Sequence, residues 1–344
     1  MLYIANSEET ERRALFLNTA EKRGLHPAIV EKDFWVCYLL DHLFHRNEYS
    51  QSFVFKGGTS LSMAYHLIER FSEDIDLILD WRILRYSTKD IWSQRSRNKQ
   101  DQFNKELNQA ASVFIDNELL SSLRNSLSNE LSFAPELYVD PDDPQVLNFS
   151  YPHIFHEDYI RSEIRLEIGP IAEWTPSHIV SINSMSAEEY TRVFKQPFTD
   201  VMTVDAERTF WEKATILHRI ANFPNDKLLP PRYARHYYDL YMMSNSWVKN
   251  KAFNRCDLLN QDVMFKSKFY YARNASYETA SIDEIKLIPP ERIIPQIRVD
   301  YERMKNMIYG IVPDFDEMMN KLSLLENDMH SIRQRKDPSI DDRF

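Results

Sequence analysis

Glycine is nearly absent: the chain of 344 residues contains five, where average usage of about 7% would supply roughly 24. Cysteine is scarcer still. Cys37 and Cys256 offer neither a disulfide framework nor a metal-site spacing, and both suit a reducing cytosol. No uninterrupted apolar run approaches the roughly 20 residues that a membrane span requires. The first residues, MLYIANSEETERR, have no secretory apolar segment, because Asn6 to Arg13 are almost all polar. These absences predict a cytoplasmic protein with no membrane association. Basic charge is also short, with 42 Lys and Arg against 52 Asp and Glu, a net charge of −10. That balance argues against a general DNA-coating protein, although a local basic face can still hold nucleic acid. What is present, 43% apolar residues, excludes wholesale disorder and gives ample material for buried cores.

A chain so sparing with glycine nevertheless places Gly57 and Gly58 side by side in FKGGTS. Glycine belongs where a side chain cannot be tolerated or where φ is positive. The pair follows FVFK (53–56), a short aromatic and β-branched strand. Helical periodicity then runs from Thr59 to Arg70, and IDLIL (75–79) reads as a second strand. Residues 10–45 read as helical, and 81–130 as polar and mostly helical. In IRSEIRLEIG (160–169) the apolar Ile160, Ile164, Leu166 and Ile168 share one face with Ser162, while Arg161, Glu163, Arg165 and Glu167 share the other. Beyond about residue 190 the strand signals fade. Helices are predicted over 205–223 from an Asp205 cap, over 232–244, and last over 295–307. The division expected is an α/β first half, 1–190, and a helical second half, 191–344.

Asp74 and Asp76 lie two apart on an extended segment, so their side chains share a face. Carboxylates so placed repel unless a cation lies between them, and a hard divalent ion such as Mg²⁺ takes oxygen ligands while keeping positions open for phosphates. The preceding glycine pair lets backbone amides approach a triphosphate, and Thr59 and Ser60 add hydroxyl donors. A third carboxylate is available on a separate strand: Glu167, with Glu163 as the alternative. Three acids beside a phosphate cradle are the requirements of two-metal nucleotidyl transfer. The competing reading is a plain turn, with Glu167 paired to Arg165 or Arg161. The triplet Glu31, Lys32 and Asp33, within an aromatic helix, reads as a buried ion network holding the two halves together.

FKGGTSLSMAYHLIERFSEDIDLIL, with VEKDFWVCYLL, IRLEIG, ERTFWEKATILHR, RHYYDLYMM and DYERMKNM, resembles the AbiEii/AbiGii-type nucleotidyltransferase toxins, which include the MenT-type toxins. The resemblance spans about residues 25–310. It implies a mixed α/β fold, a polymerase-β-like nucleotidyltransferase core with a mostly helical C-terminal lobe. It makes Asp74 and Asp76 metal ligands for Mg²⁺ or Mn²⁺, with Glu167 as third acid. Lys56, Gly57, Gly58, Thr59 and Ser60 become the nucleotide-binding turn. Lys213 is placed on the triphosphate and Asp239 completes the cleft. The implied activity is transfer from an NTP to an RNA acceptor, the tRNA 3′ end above all, by the toxin of a toxin–antitoxin or phage-defence pair silenced by a cognate antitoxin.

Two other functions compete: the same transfer to a protein or small-molecule hydroxyl, and a degenerate binding module. Basic stretches favour RNA. From Arg82 to Lys105 seven basic residues face two acidic ones, and over 246–275 Lys249, Lys251, Arg255, Lys266, Lys268 and Arg273 face Asp257 and Asp262. Ser72, two residues before Asp74, is a candidate control point, since a phosphate there would set about −1.5 to −2 charge beside the metal ligands. The alternative is a local backbone role for Ser72.

Overall fold

The computed structural model describes residues 1–72, 74–157, 160–224, 229–272 and 275–332. Glu73 and Arg273, both within motifs singled out above, lie outside the described residues. Seven strands form one mixed sheet: β1 (Phe53–Lys56), β2 (Asp74–Leu79), β3 (Glu136–Val139), β4 (Val146–Ser150), β5 (Glu163–Gly169), β6 (Ser177–Asn183) and β7 (Phe198–Val204). Their order is β3-β4-β5-β2-β1-β7-β6. β1 runs antiparallel to β2, while β2 and β5 are parallel. The sheet and the Gly57–Met63 helix belong to one compact unit, Met1–Tyr65 with Phe71–Val204. The second unit takes His66–Arg70 and the chain from Asp205 onward.

Strand alternation decides which face is core. Ile75, Leu77, Ile164, Leu166 and Ile168 are at most 1% exposed and share one hydrophobic cluster with Trp35 and Tyr38 of the Pro27–His45 helix. Asp74, Asp76, Glu163, Arg165 and Glu167 alternate with them and stand half-buried on the other face. Sequence periodicity placed β1, β2 and β5 well. It missed β7, where buried Thr199 and Thr203 share a face with Val201, since threonine looks polar in a sequence while fitting a pleated surface.

The helix expected over 59–70 is Gly57–Met63. His66 adopts a positive φ of 50°. The following residues bond into the second unit, where Tyr309 N–H donates to the Glu69 carbonyl (2.9 Å) and Arg70 bridges to Ile308. The helix expected over 295–307 is Ile294–Met304 with a short 3₁₀ turn, but it is not the last. Phe315–His330 follows, capped by the Asp314 carboxylate, which accepts from the Asp316 and Glu317 amides.

The buried triplet ties its helix to backbone of the first unit. Glu31 accepts from the Ile154 and Phe155 amides at 2.9–3.0 Å, Asp33 from the Met185 amide at 2.6 Å, and Lys32 donates to the Arg161 carbonyl at 2.9 Å. The network expected from the triplet thus includes ties from one helix to separate backbone segments of its own unit. Burial pushes both the Glu31 and Asp33 carboxyls up to about 7. Raised carboxyls favour the protonated fold, so their contribution is present below the ordinary carboxylate range and lost as pH rises through 7. Asp33→Asn keeps an acceptor for Met185 and removes the ionisation. Urea unfolding at pH 5.5 and 8 should show the variant gaining on the wild type at the higher pH; an equal difference at both would refute the assignment.

Candidate active site

The site in the first unit begins at the β1–helix junction. Gly57 has a φ of +79°, and a Cβ there would lie 2.9 Å from the Asp76 Cβ and closer still to its carboxylate. Both facts forbid a side chain. Asp76 is the register neighbour of Lys56 on one side and of Glu167 on the other; Asp74 is that of Arg165. Lys56, Asp76 and Glu167 therefore form one row across three adjacent strands. Asp74 and Arg165 form the next.

Gly58, Thr59 and Ser60 are buried in the first turn of the Gly57–Met63 helix. The two hydroxyls were expected to serve as donors to a phosphate. Instead Thr59 Oγ1 donates to the Asp74 carbonyl, with the Ser72 carbonyl 3.4 Å away, and Ser60 Oγ donates to the Gly57 carbonyl at 2.9 Å. Fully buried hydroxyls must satisfy themselves locally, and here Thr59 fastens the turn to the start of β2 while Ser60 closes on the turn itself. Ser72 takes part through its backbone.

Arg165 entered the sequence reading only as a pairing partner for Glu167, yet it reaches three carboxylates. Its guanidinium donates to Asp140 at 2.9 Å and lies 3.9 Å from carboxylate oxygens of both Asp74 and Glu167. The alternative weighed for Glu167, pairing with Arg165, thus describes a real contact. Glu163 stands apart, accepting from the Tyr138 hydroxyl at 2.5 Å. Among the described residues no three His, Cys, Asp or Glu side chains are drawn together tightly enough to hold an ion. The donor chemistry still fits a hard divalent cation, since the facing groups are carboxylates with no sulfur among them.

In the second unit, Asp239 is wholly buried and doubly paired. Arg70 donates to it through Nε (2.7 Å) and Nη2 (3.0 Å), and Lys213 Nζ donates at 2.7 Å. His236 Nδ1 lies 3.4 Å from the same ammonium. Burial alone would raise the Asp239 carboxyl, but Arg70 and Lys213 hold it well below the ordinary range. Burial depresses Lys213 despite Asp239, and depresses His236 further with Lys213 beside it. The cation that reaches Asp239 from farthest along the chain is Arg70, 169 residues away, which sits in the quoted RFSEDID motif but carried no role there.

Four basic residues of the 246–275 stretch are paired internally. Lys249 pairs with Asp328 (2.6 Å), Lys251 with Glu207 (3.8 Å), Arg255 with Asp257 (2.9 Å) and Lys266 with buried Asp262 (3.0 Å). Arg82 pairs with Asp80 at its neighbouring turn.

The family model for the AbiEii toxin, a nucleotidyl transferase of type IV toxin–antitoxin systems, matches residues 38–321. The chain belongs to the AbiEii nucleotidyltransferase toxin family. It is accordingly a nucleotidyltransferase with an NTP substrate and an antitoxin counterpart. No curated protein sequence matches it. Among solved structures it is similar to the nucleotidyltransferase toxin MenT4, Rv2826c, from Mycobacterium tuberculosis H37Rv (16% identity, 91% of this chain and 98% of that one, TM-score 0.40). It is likewise similar to JHP933 from Helicobacter pylori (14% identity, 96% of each chain, TM-score 0.41). Among the described residues no helix is long and apolar enough to cross a membrane.

Two outcomes follow from this AbiEii geometry. Gly57→Ala should displace the Asp76 carboxylate and cut transfer by about a hundredfold, the scale of losing a preorganised charged group, while circular dichroism stays native. Wild-type activity in that variant would refute the close-approach argument. Asp239→Asn strands Arg70 and Lys213 without their anion and should cost about 3–5 kcal/mol in chemical denaturation; a loss below about 1 kcal/mol would mean that the cations find other partners.

Proposed function

We propose that this AbiEii-family chain transfers a nucleoside monophosphate from an NTP to an RNA acceptor, the tRNA 3′ end being the acceptor that the family resemblance offers. One observation carries the reading: Asp74 and Asp76 share a face of β2, directly beside Glu167 in register on β5, against a turn from which Gly57 excludes any side chain.

Asp74 and Asp76 would hold a divalent cation, Mg²⁺ or Mn²⁺, with Glu167 as the third acid once Arg165 yields it. Such an ion supplies Lewis-acid activation of an attacking hydroxyl and neutralises charge developing on phosphate. The chain's own contribution is placement. The Thr59 bond to the Asp74 carbonyl fixes the strand that carries both aspartates, so little reorganisation is needed as charge develops. Lys56, beside Asp76 in register, sets a cation at the same edge. Lys213 in the second unit is the residue that the resemblance assigns to the triphosphate, and Asp239 is its buried counter-ion. Modification of Ser72 remains part of this reading as a charge that would weaken cation binding.

The test uses each α-labelled NTP with total RNA. Wild type should label a tRNA band in a divalent-ion-dependent reaction, and Asp76→Asn should lower incorporation by about a hundredfold or more with the fold intact. Label appearing on protein or a small molecule would replace the RNA acceptor. Label retained in Asp76→Asn would overturn the metal assignment.

A further inference from the structure

Arg165 holds its three carboxylates unequally. Its Nη1 donates to Asp140 at 2.9 Å, whereas its Nε lies 3.9 Å from Asp74 and from Glu167. The first is a hydrogen bond; the other two are electrostatic contacts only. Register explains the arrangement. Asn148, Arg165 and Asp74 form one row across β4, β5 and β2, so Arg165 stands between Asn148 and Asp74.

On the Asn148 side, Asp140 is a built seat. It follows β3 directly, and its amide donates to the Val146 carbonyl at 2.9 Å, which pins the turn against β4. Its Oδ1 accepts from the Asp142 amide at 3.0 Å. Its Oδ2 accepts from the side-chain amide of buried Asn148 at 3.2 Å as well as from Arg165. The Asp142 and Asn148 amides, with Arg165 adding to them, hold the Asp140 carboxyl below the ordinary carboxylate range. An anion fixed this way offers the guanidinium a charge-assisted bond that does not depend on Asp74 or Glu167.

Charge gives this geometry a consequence. A guanidinium beside Asp74 and Glu167 does electrostatically what a cation on those carboxylates would do, since it relieves their mutual repulsion. It also repels an ion that arrives there. The more firmly Asp140 holds it, the less it competes.

We infer that Arg165 is a stand-in for the divalent cation, and that Asp140 is the positioning residue that retains it when Asp74 and Glu167 turn to the ion. The inference rests on the metal reading above and adds a gate to it: a residue outside the ligand set tunes cation affinity. Asp140 acts on the site only through Arg165.

The experiment reads Mn²⁺ binding to the full chain without NTP, from the electron paramagnetic resonance signal of the free ion. Asp140→Asn keeps the side-chain shape and removes the anion, which leaves the guanidinium to Asp74 and Glu167. Its Mn²⁺ Kd should rise about tenfold, the scale of losing a residue behind a metal ligand. Arg165→Gln removes the competitor, so its Kd should fall below the wild-type value by a similar factor. Adding Asp140→Asn to Arg165→Gln should then change nothing, as a double-mutant cycle requires of a residue that acts through another. Asp76→Asn checks the metal reading separately. If the wild type binds no Mn²⁺, or Asp76→Asn binds it equally well, that reading fails and this inference with it. If Asp76→Asn loses the ion but Asp140→Asn weakens binding equally with and without Arg165, Asp140 is a ligand or a structural support and the inference alone is overturned. An unchanged Kd in either single variant overturns it too. Should Asp140→Asn lose its native circular dichroism, Arg165→Gln decides: tighter binding upholds the stand-in, and equal or weaker binding refutes it.

Discussion

The approach of the Asp76 side chain to the backbone of Gly57 is the constraint around which the first unit is arranged. A carboxylate this close to a main chain with φ of +79° leaves no room for a β-carbon. The glycine therefore does two things: it permits the left-handed turn from β1 into its helix, and it lets an acid stand in the bend of that turn. The buried Thr59 hydroxyl then fastens the helix to the Asp74 carbonyl. Glycine, threonine and two aspartates thus form one unit, in which moving any member displaces the others.

A second arrangement, in the helical unit, has the opposite character. There the acid is wholly buried and its charge is fixed by Arg70 and Lys213 rather than left facing outward. Replacing such a pair by apolar groups can be neutral, whereas removing one member is costly. The arrangement keeps an ammonium in a defined place with its charge already balanced. Arg70 belongs to a five-residue segment that the first unit contributes to the second, four residues before Asp74 in sequence. The motif RFSEDID therefore carries residues for two different sites, a dense use of seven positions.

The strands that mattered most were legible because their apolar and charged residues alternate strictly, and because glycine is so rare that its one pair stands out. The common strand face of Asp74 and Asp76 beside the Gly57 turn follows from that pattern, while their role as metal ligands came from the family resemblance. Other features were hidden for physical reasons. Arg165 reads as one charge on a polar face, and only the register of β2 against β5 reveals that it lies between Asp74 and Glu167. The Arg70–Asp239 pair closes over 169 residues, a separation that no local pattern encodes. Lys266 and Lys249 read as a basic surface, yet each has an acidic partner brought by tertiary packing. The Phe315–His330 helix did carry local signals, an Asp cap followed by two acids and Phe315, Met318, Met319 and Leu322 at helical spacing.

The central claim is that Asp74 and Asp76 form the cation-binding edge of a nucleotidyl transfer site. A crystal grown with Mn²⁺ and a non-hydrolysable NTP analogue, with data collected at the manganese edge, tests it most directly. The account predicts an anomalous peak bonded to carboxylate oxygens of both aspartates, with the Arg165 guanidinium drawn away from Glu167. Manganese bound elsewhere, with Arg165 still seated between Asp74 and Glu167, would contradict it.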